Sequence, residues 1–410
     1  MRARRITVVT AGHLATCPRM VKAADALHLS GYDVRVVSTS QTAWAAVADR
    51  QLHSRREWQW DAIAHDRESA PLQWLATGAR QRGAQVAARV LGGARPRAVA
   101  AAAYSRMHAE LVEAVLRQPT DFIYGGTSGA LAAVAEAARR SGTPFALDFE
   151  DFHCGEHPAD AAGALLNDLA ASTMADAAAG ACFVTAGSAA IGRACRERLG
   201  LDTVTIDNVF PLPGPPKRRA AQELRLYWFS QTIGPARGLE DAVRAAGLAR
   251  IDAELHVRGL PAPGYLPALQ ELIDGVAPTL RLVHHAPDDP DGLVAGCAEY
   301  DIGLSLEPGV TANNALALSN KALTYPLAGL AMAMTSTPGH HPLAADLGDA
   351  AIVYEPGDVE RLADGLAAWD RDRAALSRAQ DAAWDAARAR WHWEHPLERG
   401  LFLSAIAAAA

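Results

Sequence analysis

The chain has 410 residues, of which 50% are hydrophobic and 21% charged, and its net charge is −7 with a pI near 6.1. This length suits two domains of about 200 residues each. The acidic balance, with no Lys/Arg run interleaved with aromatic residues, argues against a nucleic-acid groove or an anionic membrane surface. We therefore expect small, soluble partners.

Cysteine usage and the N-terminal residues indicate the compartment. The five cysteines are scattered and lack any CxxC spacing, so they predict neither a disulfide framework nor a zinc knuckle. The apolar run after MRARR is too short for a signal peptide, and no stretch approaches about 18 apolar residues. A cytoplasmic protein without a transmembrane segment is predicted, and its oligomeric state is not indicated.

The first half alternates short β-rich runs with alanine-rich helical patterns such as Arg19–Ser30 and Gly129–Ser141. This rhythm is typical of a parallel, doubly wound sheet. Residues 76–100 lack a clear period, which predicts a loop or a loose helix. The predicted strands are Ile6–Thr10, Val34–Ser38, Phe122–Tyr124, Pro144–Phe149, Cys182–Ala186 and Val204–Asp207.

A second domain is predicted after a break at residues 210–217, where four prolines and a glycine leave little room for helix or central strand. The expected fold is α/β, with two tandem doubly wound Rossmann-like domains facing a cleft. Because such sheets bind ligands outside the carboxyl ends of their strands, we expect a site shared by both domains. Residues 405–410 are expected to fray. The predicted strands of the second domain are Leu224–Ser230, Ala253–Arg258, Leu280–His285, Asp301–Leu306, Ala331–Thr335 and Ala351–Tyr354.

The loop after the first strand is a candidate ligand site. Gly12 allows backbone amides to approach a ligand, and Arg19 brings a permanent charge to the start of a helix. The glycines do not form GxGxxG, so a nicotinamide or flavin cofactor is not indicated. An ordinary tight turn with a solvated Arg19 is the alternative.

The loop after the fourth predicted strand, residues 148–157, is the densest titratable cluster of the chain. Its carboxylates are suited to orienting sugar hydroxyls or accepting a proton from an acceptor. A metal site with the DxD-like carboxylates, or with His153 and His157 at helical spacing, and a plain solvated loop remain alternatives. Gly155 and Pro158 make a helix there doubtful. The carboxylates are Asp148, Glu150 and Asp151.

The second domain opens with a strand, a polar loop and a helix that begins near Leu239. Arg237 in this loop is placed to clamp a diphosphate, with hydrogen bonds from Ser230, Thr232 and Gly234. Simple capping of the helix is the alternative.

Residues 301–335 read as a strand, an asparagine-bearing loop, a helix that opens on Ser319-Asn320-Lys321, then Gly329 and another strand. Loop amides and a helix start predict an anion site, and Lys321 adds a mobile charge. Lys321 is one of only three lysines against thirty-six arginines. His284-His285 ends a strand and is a candidate for lining a base pocket. Neither that pair nor His340-His341 has a third ligand for zinc.

These motifs resemble the GT-B glycosyltransferases, specifically the large retaining family four group, over nearly the whole chain. In that family a loop with glycine and arginine, a strand ending D-x-H/E, an S/T-x-S strand end, N-g-v before the linker, G-x-l…K/R-G and N-K-x-x-E-Y-x-x-x-G occur in this order. The corresponding residues are Gly12 with Arg19, Asp148-Phe-Glu150, Thr185-Ala-Gly-Ser188, Asn208-Val209, Ser230 through Arg237-Gly238, and Asn320-Lys321 through Gly329. Trp391-His-Trp393-Glu394 resembles the family's closing helix, which crosses back onto the first domain.

The resemblance implies domain bounds and roles. An acceptor domain would span residues 1–209 plus a crossing helix at about 386–410, a linker 210–222, and a donor domain 223–385. The donor would be a nucleotide diphosphate sugar, used as a co-substrate without a tightly bound cofactor or a metal. Its diphosphate would meet Arg237, Lys321 and the amides of residues 313–315, and Gly259 and His285 would flank its base. The implied donor-binding residues are Gly12, Arg19, Ser230, Thr232, Gly234, Gly259, His285, Glu307, Asn313, Asn314, Ala315, Leu316, Asn320 and Thr324, beside catalytic Glu150, Asp151, Arg237 and Lys321 and acceptor-side His13, Asp148 and His153.

The sequence departs from the family pattern at three positions. Two glutamates eight residues apart are replaced by Leu316 and Thr324, and the histidine after the fourth strand by Glu150. The leading expectation is a retaining glycosyltransferase for a small acceptor, acting by a front-face mechanism. A non-catalytic nucleotide-sugar-binding partner subunit, and an enzyme that forms a C–S or C–N bond in a specialised-metabolite pathway, are the alternatives.

Overall fold

The computed structural model describes residues 3–216, 223–288 and 290–410. It contains two compact units, which we call unit 1 (Met1–Asp207 with Arg399–Ala410) and unit 2 (Asn208–Glu398). Residues 217–222 of the predicted linker, including Lys217, lie outside the described residues. No helix in the described part of the chain combines the length and the apolar character needed to cross a bilayer.

Unit 1 is built on a parallel sheet of seven described strands in the order β3-β2-β1-β4-β5-β6-β7. Its central strands β4 and β5 are buried along their whole length, as expected for a sheet covered on both faces. The strands are β1 (Arg5–Thr10), β2 (Asp33–Ser40), β3 (Gln59–Ala64), β4 (Phe122–Gly126), β5 (Phe145–Phe149), β6 (Val184–Ala186) and β7 (Val204–Thr205).

The helices of unit 1 cover this sheet. Helix α6 shows the common pattern, because its apolar face is buried and Gly142 ends it in the left-handed conformation. The helices are α1 (Pro18–Leu29), α2 (Ala43–His53), α3 (Pro71–Leu91), α4 (Arg97–Tyr104), α5 (His108–Leu116), α6 (Leu131–Ser141), α7 (Ala161–Ala178) and α8 (Ala189–Leu199).

Two elements of unit 1 differ from the sequence predictions. Strand β3 was not predicted, because QWDAIA is short and only half-buried at the sheet edge. The predicted loop or loose helix at residues 76–100 is largely the 21-residue helix α3. Its two glycines, Gly78 and Gly83, weaken the helical pattern without interrupting the helix.

Unit 2 contains a parallel sheet of six described strands in the order β10-β9-β8-β11-β12-β13. The strands are β8 (Leu224–Ile233), β9 (Ala253–Pro261), β10 (Leu280–His285), β11 (Ile302–Ser305), β12 (Ala331–Thr335) and β13 (Ala351–Tyr354). The helices are α9 (Leu239–Ala249), α10 (Tyr265–Val276), α11 (Leu293–Cys297), α12 (Ala312–Leu316), α13 (Asn320–Thr324), α14 (His341–Leu347), α15 (Val359–Arg371) and α16 (Arg373–Ala389).

The C-terminal residues are ordered rather than frayed. Helix α17 (Leu401–Ala409) belongs to unit 1 and buries Phe402 and Ile406. The Phe402 ring lies 5.2 Å from that of Tyr124, so the apolar face of α17 is covered and its end does not fray. The Trp391-to-Glu394 motif is not a helix: it forms a turn, in which the Trp393 amide donates to the Phe210 carbonyl at 2.8 Å.

Each sheet has one point where the strand order reverses direction. It lies between β1 and β4 in unit 1 and between β8 and β11 in unit 2. Loops that leave the carboxyl ends at such a point diverge to opposite faces and open a crevice, which is where α/β sheets bind ligands. The loops after β1 and β4 in unit 1, and after β8 and β11 in unit 2, are therefore the first places to search for a site.

Candidate functional site

The loops after β8 and β11 of unit 2 lie directly against each other. Gly238 has φ +79°, and a Cβ added to it would stand 2.2 Å from the Leu306 carbonyl oxygen. Only glycine permits both that backbone conformation and that approach. The close packing brings Arg237, at the end of one loop, to the loop that begins at Leu306.

Arg237 is an exposed cation. Its side chain has no ion-pair partner among the residues that the structure describes. Thr232 is also exposed, whereas Ser230 is half-buried and Gly234 buried. Gly259, at the end of the adjacent strand β9, packs its α-carbon against the Ser230 carbonyl. The end of β8 and the loop after it therefore offer the exposed hydroxyl of Thr232 and the guanidinium of Arg237 at the strand-order reversal.

Lys321 lies in a compact polar cluster with Glu307. The lysine Nζ is 2.6 Å from Glu307 Oε1, and both side chains are only about a tenth exposed. Ser305 Oγ donates to Glu307 Oε2 at 2.8 Å and lies 2.9 Å from Ser319 Oγ. Lys321 is thus held by a carboxylate, where the sequence analysis anticipated a freely mobile charge.

His340 completes this Glu307 cluster. Its Nδ1 lies 2.9 Å from the Thr335 carbonyl oxygen, to which it donates, and its Nε2 lies 3.5 Å from Glu307 Oε2. Burial lowers the pKa of His340, although the Glu307 charge opposes this effect. Burial alone would raise the pKa of Glu307, but Lys321 and His340 hold it at about 2. Glu307 is therefore a carboxylate at neutral pH.

The asparagine-bearing loop folds into the short helix α12. Thr311 caps it by accepting from the Asn314 amide at 3.1 Å, and Asn314 Oδ1 accepts from the Gly309 amide at 2.7 Å. Asn313, Ala315 and Leu316 are half-buried on the same turn. The loop is thereby fixed by its own hydrogen bonds.

Helix α13 is shorter than the sequence predicts and ends at Thr324, where a 3₁₀ turn follows. Asn320 Oδ1 accepts from Asn208 Nδ2 at 2.8 Å. Thr324 is fully buried and donates to the Asn320 carbonyl at 2.6 Å, so its hydroxyl is not presented to a ribose. Gly329, at φ +74°, ends the 3₁₀ turn.

His285 interacts with a second histidine of the sheet. Its Nε2 lies 2.9 Å from His256 Nδ1, and His256 Nε2 lies 3.0 Å from a Glu254 oxygen. Burial, and then the Arg258 charge, lower the pKa of His285. His285 is half-buried at the end of β10, where it retains a partly accessible ring.

In unit 1, Arg19 and Asp148 form a buried ion pair. Two guanidinium nitrogens each lie 2.6 Å from a carboxylate oxygen, and a third donates to the Ile206 carbonyl at 2.6 Å. Asp148 also accepts from the Thr185 hydroxyl. The guanidinium is 5% exposed and the carboxylate 0%. Arg19 is therefore neither solvated nor free to meet a ligand: it ties the first loop to strand β5.

His13 is likewise held by protein partners. Its Nε2 accepts from the Gln41 and Thr42 amides at 2.9 and 3.2 Å, so its Nδ1 carries the proton and donates to Asp49 at 2.6 Å. Both ring nitrogens of this 6%-exposed side chain are engaged. Gly12 precedes it with space for a Cβ, so sterics do not require glycine there.

The carboxylate loop after β5 brings four titratable residues together. Burial, and then the charge of Asp151, raise the pKa of Glu150 to about 7. His153 Nδ1 lies 2.5 Å from Glu156 Oε1; burial alone would lower the pKa of His153, but Glu156 raises it overall. Ligand atoms of Asp151, His153 and Glu156 lie within 4.8 Å of one another, a donor set that can hold a metal ion.

The sequence assigns no site role to three polar residues of these clusters: His340, His256 and Glu156. His340 meets Glu307, and His256 meets His285, through packing between different strands and loops. Glu156 instead lies three residues after its partner His153 in the same turn. His340 had one signal, its position in a glycine-containing loop just after β12, but nothing local connected it with Glu307.

Sequence comparison finds no protein-family model and no curated protein that match the chain. Structure comparison finds close folds over the whole length. HepE from Anabaena, solved with UDP and glucose, is 15% identical with a TM-score of 0.69, over 99% of this chain and 98% of that one. The chain has the GT-B fold. The predicted resemblance is confirmed at the level of the fold, as is the prediction of two parallel α/β sheets.

Two further GT-B structures align end to end with the chain. Sucrose-phosphate synthase from Thermosynechococcus elongatus is 11% identical, with a TM-score of 0.69 and 100% of both chains covered. A glycosyltransferase from Rickettsia africae is 11% identical, with a TM-score of 0.64 and 99% of both chains covered. At these identities the likeness establishes the GT-B fold, and the reaction has to be argued from the residues.

Proposed function

We propose that this GT-B protein is a glycosyltransferase that moves a hexose from a nucleotide diphosphate sugar to a small-molecule acceptor, with retention and without a metal. The observation that carries this proposal is the pairing of the loops after β8 and β11, which places Arg237 and the Lys321–Glu307 pair at the strand-order reversal of unit 2. Two cations at that position suit a diphosphate.

The donor half of the reaction needs stabilisation of a departing diphosphate. Negative charge grows on the phosphates as the glycosidic bond breaks, and cations fixed in advance lower the barrier most. Arg237 would contact the diphosphate directly. The sequence also assigns this role to the amides of residues 313–315, but the backbone amides of Asn314 and Ala315 already donate to the hydroxyl and the carbonyl oxygen of Thr311. Lys321 would turn from Glu307 to the phosphate, since its flexible stem carries a compact charge that can exchange partners.

The acceptor half is assigned to the carboxylate loop of unit 1. Glu150 has a pKa of about 7, so its carboxyl group changes protonation state near physiological pH. This suits a residue that orients the acceptor hydroxyl or accepts a hydrogen bond from it. In a front-face reaction the leaving phosphate receives the acceptor proton, so no side-chain nucleophile is needed. Asp148 and Arg19 would hold this loop in place.

The direct test is incubation of the purified protein with a panel of nucleotide sugars, with and without metabolites from a cell extract. Loss of donor only when an acceptor is present supports transfer, and the anomeric configuration of the product tests retention. Analysis of the product linkage also separates O-transfer from formation of a C–S or C–N bond. A protein that binds no nucleotide sugar would contradict the proposal.

Glu150→Gln is expected to lower turnover at least about tenfold while leaving nucleotide affinity unchanged. Because the wild-type carboxyl ionises near pH 7, wild-type turnover should rise as pH increases through 7. This rise should be absent in the variant, which cannot ionise. Unchanged turnover and an unchanged pH profile would remove Glu150 from the mechanism.

A non-catalytic nucleotide-sugar binder is the second candidate. It is favoured by Leu316 and Thr324, which stand where the resembling family has glutamates, and by the burial of Thr324. Saturable binding of a nucleotide sugar without donor loss, under every acceptor condition, would support this alternative.

A further inference from the structure

Helix α3 of unit 1 is apolar on two opposite sides. Its inner side packs on α4, where Ala88 joins a buried cluster with Ala100, Ala103 and Leu169. Its outer side carries Leu72, Leu75, Val86 and Val90, which are 81%, 59%, 58% and 81% exposed. A surface helix ordinarily turns a polar face to water, so the outer side of α3 calls for a partner.

The exposed side chains form one continuous stripe. Counting the intervening Ala79 and Gly83, positions 72, 75, 79, 83, 86 and 90 are separated by three or four residues throughout, so they share one helix face. A helix of this length extends about 30 Å. The stripe, defined as these six positions, has no polar side chain along it.

The charged side chains of α3 itself are all of one sign. From Ser69 to Ala109 the sequence has six arginines and no aspartate or glutamate, within a chain whose net charge is −7. Three of these arginines, Arg80, Arg95 and Arg97, pair with Glu110, Asp168 and Asp176 of other segments. Arg82 and Arg89 are seven residues apart, so they lie in one column next to the stripe. Both are exposed, and neither has an ion-pair partner within residues 3–216, 223–288 and 290–410.

We propose that the outer face of α3 is a docking surface for an anionic lipid bilayer, with the stripe in the interface and Arg82 and Arg89 among the headgroups. Aliphatic side chains with arginines alongside are the composition by which helices lie on such membranes. Charge selects this occupant over a second copy of the chain, because two α3 helices would face each other with arginines and no carboxylate. The net charge of the whole chain argues against an anionic membrane surface, but it averages over this local excess of arginine.

The test is cosedimentation of the full-length protein with phosphatidylcholine vesicles, with and without phosphatidylglycerol. Binding is expected to the anionic vesicles and to weaken with added salt. Arg82→Glu/Arg89→Glu should reduce the partition coefficient by about tenfold or more, because each basic residue near an anionic surface adds to the attraction between the protein and the bilayer. Leu72→Ser/Val90→Ser should lower the partition coefficient by a similar factor, because it removes two apolar side chains from the stripe that enters the interface.

The matched control is Arg361→Glu/Arg371→Glu, which makes the same charge change at two exposed positions of α15 in unit 2. It should sediment as the wild type does. Failure to bind anionic vesicles, equal binding to neutral ones, or equal loss in the control would overturn the proposal. A concentration-dependent dimer that the α3 variants abolish would also overturn it, in favour of an interface between copies. Circular dichroism of each variant checks that it is folded.

Discussion

Two ion pairs, one in each unit, look alike in sequence and differ in burial and in the number of their hydrogen bonds. Arg19–Asp148 in unit 1 is bidentate and inaccessible, and the remaining groups of both side chains are occupied by the Ile206 carbonyl and the Thr185 hydroxyl. Lys321–Glu307 in unit 2 rests on one contact of 2.6 Å and remains about a tenth exposed. The first pair leaves no group available to a ligand, whereas the proposed function requires the second to release its cation.

The physical difference lies in the cations. A guanidinium presents a rigid fork that matches a carboxylate, and breaking a complete set of such bonds leaves several groups unpaired in the interior. An ammonium is a point charge on a flexible stem, so it exchanges one anion for another with little loss. A cation in the first turn of a helix that follows a strand is therefore insufficient evidence of ligand binding.

The largest effect is expected from Arg19→Met. The change strands the buried Asp148 carboxylate, and it should lower the free energy of unfolding by about 3–5 kcal/mol, measured in urea. Arg5→Ala, which breaks the exposed pair with Asp121, is the control and should lower it by less than about 1 kcal/mol. A stable Arg19→Met protein that has lost nucleotide affinity would instead make Arg19 a ligand residue.

The next effect is expected from Lys321→Met combined with Glu307→Gln, which removes the cation without stranding the carboxylate. The affinity for UDP or another nucleoside diphosphate should fall by about 2 kcal/mol, or about 30-fold, while the fold is retained. Isothermal titration calorimetry measures the affinity. Arg237→Ala should also weaken binding, whereas Arg361→Ala on α15 should not. Wild-type affinity in the double variant would show that Lys321 does not bind the nucleotide, and the two ion pairs would then not differ in function.

The smallest effect is expected from Glu307→Gln alone. Glu307 competes with a phosphate for Lys321, so its neutral replacement should strengthen nucleoside diphosphate binding by about threefold, within the usual energy of a partly exposed pair. Competition with a fluorescent nucleotide would resolve this change. Weaker binding would show that Glu307 positions Lys321 for the ligand rather than competing for it.

Much of the fold was predictable because its signals are local. Strands such as Phe145–Phe149 are short apolar runs bounded by polar turns, and they appear in the structure where the sequence places them. Strand β3 was missed because an edge strand buries few side chains. Helix α3 was predicted only as a loop or loose helix because two glycines interrupt its helical pattern. The C-terminal alanines look disordered in the sequence, but in the structure they belong to a helix that buries Phe402 and Ile406.

The candidate site was predictable as a set of loops but not as a set of contacts. Gly238 and Arg237 were located because a loop between strand and helix has a recognisable composition. Thr324 was expected to face a ligand and is buried, since the direction of a side chain on a short helix depends on what packs against it. His340 went unassigned because its partner Glu307 follows a different strand.

The sequence by itself determined the alternation of strands and helices, the two-sheet architecture and the loops that leave the strand ends, because periodicity and turn residues act over a few neighbours. Only the tertiary structure decided which carboxylate pairs with each of the two cations. Arg19 finds Asp148 across 129 positions of chain, and Lys321 finds Glu307 across a loop and a helix. Burial and partner choice are set by contacts between distant segments, and these decide whether a cation is fully enclosed, as Arg19 is, or keeps one partly exposed contact, as Lys321 does.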